Sequence, residues 1–158
     1  MQHLLTAQTG IQARTGNDPL PSTLVIPRLD EFETLILWGM RVWMRAHQEQ
    51  RCATGSVLDT FEFSGLVSAL VPLNRLMTML VLGSRRHLAI ATMETAPLSI
   101  DEQLLLRILK AARQRQTELV ESRLAMWMEQ VSVRATAQAA MLLAQAAFSA
   151  RTEIAADI

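Results

Sequence analysis

The chain predicts an all-α fold: a single-domain bundle of about five to six helices with an extended N-terminal arm. Three observations carry this expectation. Apolar residues recur at helical spacing in several long windows between residues 30 and 150. No run alternates β-branched or aromatic residues over a strand's length, and tyrosine is absent. Residues 98–102, Leu-Ser-Ile-Asp-Glu, have the pattern of a capped helix start.

Residues 1–28 carry Gly10, Gly16, Pro19, Pro21 and Pro27 among polar residues, the composition of an arm. Within it, Leu24-Val25-Ile26 is suited to dock as a short extended segment. The helical domain is expected over 29–158. Asp30 opens a first helix that runs to about Gln50, with Glu31 and Glu33 in its positive first turn. Its apolar residues, from Phe32 through Trp38 and Trp43 to Met44, lie on nearly every side. Such a helix belongs at the centre of a core or in a subunit interface.

After a break at Thr54-Gly55-Ser56, a short helix is expected from about Val57 to Phe63, capped by Ser56 with Asp59 in its first turn. A third spans about Leu66 to Gly83, with Pro72 as a kink or start and Gly83 as its stop. His87 to Thr92 reads as an extended crossover that packs Leu88 and Ile90 inward. The fourth helix begins at Ser99, whose hydroxyl and Glu102 form a capping box, with Leu98 at the staple position. Its predicted core stripe is Ile100, Leu104, Leu105, Ile108 and Ala112. A further stripe of Val120, Leu124, Trp127, Met128 and Val131 either continues that helix or follows a break near Thr117. The last helix is expected from about Val133 to Arg151.

Composition excludes several activities. The 158 residues carry 15 basic and 15 acidic side chains, so no net positive field draws the chain to nucleic acid. Fourteen of the basic residues are arginine, a bias that points to a GC-rich, bacterial coding sequence. One cysteine, Cys52, fits a reducing cytoplasm and allows no intrachain disulfide. The N-terminus lacks the pattern of a secretory signal. The most apolar stretch, 66–83, has Arg75 near its middle, which costs about 2.5–3.5 kcal/mol in a bilayer, so a membrane span is not expected.

Candidate sites are few. Histidines 3, 47 and 87 and the lone cysteine have no metal-ligand spacing, and no phosphate cradle or nucleophile elbow is present, so neither metal nor cofactor is expected. Cys52 is expected at a helix C-terminus, where the dipole disfavours a thiolate. Arg85-Arg86-His87 is the sharpest cation cluster, a candidate contact for an anion or an acidic partner. The end of a helix already supplies a reason for those charges. A second basic group, Arg107, Lys110, Arg113 and Arg115, is diluted by neighbouring carboxylates. Trp38, Arg41 and Trp43 form the candidate interface, with Trp38 and Arg41 spaced for an exposed cation–π pair.

Arg41-Val42-Trp43, Phe61, Arg85-Arg86-His87-Leu88 and the helix start PLSIDEQLLLRIL together resemble a class of small helical bacterial proteins of unknown function. The resemblance spans residues 30–150 and implies no activity and no site residues. The expectation from the sequence is therefore a non-enzymatic protein–protein interaction or regulatory module, self-associating as a homodimer or joined to a protein partner. The alternative is a bundle that binds an apolar small molecule in a pocket lined by Met and Trp.

Overall fold

Asp30 starts the first helix by capping it. Its carboxylate accepts the Glu33 amide at 2.7 Å while the Glu33 side chain accepts the Asp30 amide at 2.9 Å. The computed structural model describes residues 28–93 and 97–156, with side chains to residue 149. The expected arm, including Leu24-Val25-Ile26, lies outside the described residues except for Arg28. Six helices follow in order: α1 (Glu31–Gln48), α2 (Ala53–Phe63), α3 (Val67–Gly83), α4 (Ile100–Arg113), α5 (Thr117–Ala125) and α6 (Gln130–Ala156). Among the described residues there is no strand, only one antiparallel bridge between Ser84 and Met128. The bundle is all-α.

One apolar core runs through all six helices, built on fully buried Ile36, Phe61, Leu73, Met77, Ile108, Leu124 and Leu143. Helix α3 packs mainly on α6, with α2 and α1 beside it, while α4 and α5 cover the other side of α6. Two glycines let these helices approach closely. A Cβ on Gly39 would fall 2.9 Å from Leu73 and 3.0 Å from Phe61, and one on Gly83 would fall 2.7 Å from the Ser132 Cβ. Gly83 thus ends α3 by contact with α6 rather than by a left-handed backbone. Ser84 is the cap.

Several expectations need correction. Helix α2 starts at Ala53, so Thr54-Gly55-Ser56 lies inside it and Cys52 is its N-cap. The Cys52 sulfur accepts the Gly55 amide at 3.4 Å, and the Ser56 hydroxyl is turned back to the Cys52 carbonyl. The chain reverses earlier, at Gln50, whose φ of 54° lets α1 end before Cys52. The cysteine therefore sits at a helix N-terminus. Pro72 lies within α3, in its second turn, where it removes a single backbone bond. Arg115, with φ 56°, breaks α4 from α5, so 99–131 is not one helix. Ile100 and Val131 are 82 % and 89 % exposed, because each falls on the first turn of its helix away from the core. The last helix begins three residues early, at Gln130. Leu88 and Ile90 do pack against the core from an extended segment.

Candidate interaction surface

The first turn of α4 holds a dense group of polar contacts. Ser99 and Glu102 form the expected capping box, and both Asp101 and Glu102 are almost fully buried. Glu102 accepts four donors: Arg41 Nε at 2.8 Å and Nη2 at 3.0 Å, the Ser99 amide at 2.8 Å and the Ala91 amide at 3.1 Å. Asp101 accepts Arg86 through Nη1 and Nη2, and the Ala89 amide at 2.7 Å. The Ser99 hydroxyl donates in turn to the Ala89 carbonyl. Helix α4 thereby clamps the extended segment 87–92 and fastens it to α1. The Arg86 guanidinium holds the Asp101 carboxyl below its ordinary value against the opposing effect of burial, with the Ala89 amide assisting. Burial pushes Glu102 upward, but Arg41 and the Ser99 and Ala91 amides together outweigh it and hold it low. Carboxylates so occupied do not offer acid–base chemistry. They hold the fold together.

The structure separates the residues singled out in the sequence. Arg41 is buried and fixed to Glu102, so it is not the exposed cation that the spacing with Trp38 suggested. Of the two arginines of α1, Arg45 is exposed and pairs with Glu49, whereas Arg41 lies among apolar residues and takes a buried carboxylate. Trp43 is 4 % exposed, donates to the Asn74 side chain at 2.8 Å and stacks on His47. Trp38 is half-buried against the core. The candidate interface of Trp38, Arg41 and Trp43 is thus largely consumed within the chain. In the cation cluster, Arg86 joins Asp101 and lies 5.7 Å over the Trp127 ring, and Arg85 is 3.5 Å from Glu129. His87 is exposed. In the second basic group, Arg113 pairs with Asp30 at 3.0 Å. The Trp127 indole N–H is buried without an acceptor among the described residues.

An apolar surface lies elsewhere. Along α3, Val67, Val71 and Leu82 fall on one helical face and are 47 %, 71 % and 78 % exposed. Along α6, Val131 and Leu142 share a face and are 89 % and 40 % exposed. The Ser68 hydroxyl donates to the Ala146 carbonyl in an exposed hydrogen bond, so the two helices touch at the surface at that end. No carboxylate lies on α3, nor on α6 between residues 130 and 149. The charged residues there are Arg75 and Arg134. Phe63, 95 % exposed, stands where α2 turns into α3.

Other features carry less. A cleft of about 680 Å³ between α4, α5 and α6 is lined by Arg113, Arg115, Thr117, Met141 and Gln145 among others, and no tryptophan lines it. Among the described residues no group of His, Cys, Asp or Glu is placed to hold a metal ion, and no helix is long and apolar enough to cross a membrane. Compared with protein-family models, curated proteins and solved structures, the chain matches none.

Proposed function

We propose that the protein is a non-enzymatic protein–protein interaction or regulatory module that associates with itself through the outer face of α3 and α6. The observation that supports this reading is the acid-free, apolar face formed by Val67, Val71, Leu82, Val131 and Leu142. Single exposed apolar residues are ordinary on a protein surface, whereas here five lie on adjoining faces of two packed helices, in two groups with Arg75, Arg134 and Gln138 exposed between them. The face runs along two adjacent helices, so it is rigid before any partner arrives, and little ordering entropy opposes binding. A bacterial cytoplasm is the setting that the composition favours.

Light scattering across micromolar concentrations tests this. The parent is expected at twice the chain mass, and Val71→Asp combined with Leu142→Asp at the chain mass with its helical content intact. A parent that stays at the chain mass throughout overturns the proposal.

A further inference from the structure

Resting on that reading, we infer that two copies pack about a two-fold axis running along the α3–α6 seam, so that α3 of each copy lies antiparallel across α6 of the other. Two contacts set the levels of the helices against each other. At one end Gly83 abuts Ser132, and at the other Ser68 reaches Ala146. Counting residues inward from these contacts puts Val71 level with Leu143, one residue from Leu142, and Arg75 level with Ala139 or Ala140, one to two from Gln138. Leu82 is level with Val133, two from Val131, and these offsets are about 1.5–3 Å.

A two-fold axis parallel to the helices keeps each residue at its own level. The outward α3 side chains then meet α6 side chains near their own level in the second copy. Val71 meets Leu142 and Leu82 meets Val131, so the exposed apolar residues cover each other at both ends. Between them the Arg75 guanidinium meets the Gln138 side chain, whose carbonyl accepts. Arg75 and Arg134 stand about 8 Å apart along the axis, five to six residues at about 1.5 Å each, so the two cations lie at different levels. Antiparallel packing also aligns the helix dipoles favourably.

The other simple arrangement does not share these matches. A two-fold axis that lays α3 on α3, centred on the Val67–Leu82 stripe, sets Arg75 against its own copy with no carboxylate on either helix. The available size also suits a second copy. Helix α3 gives a face about 25 Å long, and two helices side by side make it about 20 Å wide. Such a face is about 500 Å² per copy and about 1,000 Å² in the pair, the threshold size for a specific contact. A lipid surface is a poorer occupant, since two arginines attract anionic headgroups by only about 1 kcal/mol each.

Single-cysteine chains test the arrangement, in a Cys52→Ser background whose hydroxyl can cap α2 in place of the sulfur. Chains carrying Val71→Cys and Leu142→Cys, one enlarged by a mass tag, are oxidised separately and after mixing at low concentration and concentrating. The expected product is a mixed cross-linked dimer, with loss of like-with-like products. If the parent has the mass of a dimer but Val71→Cys cross-links to itself, or no pair cross-links, the arrangement is overturned while self-association stands. If the parent is a monomer, self-association itself fails. A monomer that sediments with phosphatidylserine vesicles overturns both in favour of a lipid surface.

Discussion

Helices α1 and α3 have similar apolar content, yet they spend it differently. Helix α1 is apolar on nearly every side, and the bundle absorbs most of what it offers: Ile36 and Met40 enter the core, Trp43 finds Asn74, and Arg41 finds Glu102. Helix α3 is enclosed by α6, α2 and α1, but its fourth side carries Val67, Val71 and Leu82 into solvent. The difference teaches that apolar periodicity reports how much of a helix wants cover, not who supplies it. Cover depends on partners far along the chain: α1 gains Asn74 of α3 and Glu102 of α4, while the outer side of α3 meets no helix of its own chain.

The comparison breaks most readily at the anchor of α1. Glu102→Ala removes the carboxylate that neutralises the buried Arg41 charge, and the expected loss is about 3–5 kcal/mol by denaturant unfolding. A loss under about 1 kcal/mol would mean that the pair is solvated and that α1 is not held there. Acid should act on the same group of residues. Asp101 and Glu102 are both held below their ordinary values, so their contribution is complete above about pH 5. It is lost as pH falls through about 4 and on toward the lowered folded values. An unfolding midpoint that is flat from pH 6 to 3 would contradict this clamp.

Smaller effects sharpen the account. Gly83→Ala places a Cβ against Ser132 and Met128, where relief requires α3 and α6 to separate, with an expected cost of about 1–3 kcal/mol. Ser99→Ala removes a cap and the tie to Ala89, costing about 0.5–2 kcal/mol in thermal or denaturant unfolding. Val71→Ser should change the stability of the single chain by no more than about 0.5 kcal/mol, read at dilutions where association is absent.

Local chemistry was legible and long-range pairing was not. The capping box at Ser99 and the inward packing of Leu88 and Ile90 follow from residues close in sequence. The start of α2 was misplaced because Thr54-Gly55-Ser56 resembles a break, while the turn that matters depends on Gln50 adopting a positive φ. Asp101 and Glu102 read as ordinary first-turn carboxylates, since their partners Arg41 and Arg86 lie 61 and 15 residues away. For the same reason the surplus apolar face was assigned to α1: nothing in the sequence shows that Asn74 and Glu102 meet that helix. The charge of Arg41 was the available clue. An arginine ringed by apolar residues implies a buried acid.

The paired substitutions Trp38→Ser on α1 and Val71→Ser on α3 test the central claim most directly, with solution mass and unfolding midpoint measured for each. Trp38→Ser is expected to lower the midpoint and keep the mass of a dimer, because Trp38 packs against the core of its own chain. Val71→Ser is expected to fold as well as the parent at matched dilution and to have the mass of one chain. The reverse result, a stable monomer from Trp38→Ser and an undisturbed dimer from Val71→Ser, would return the interface to α1 and contradict the account.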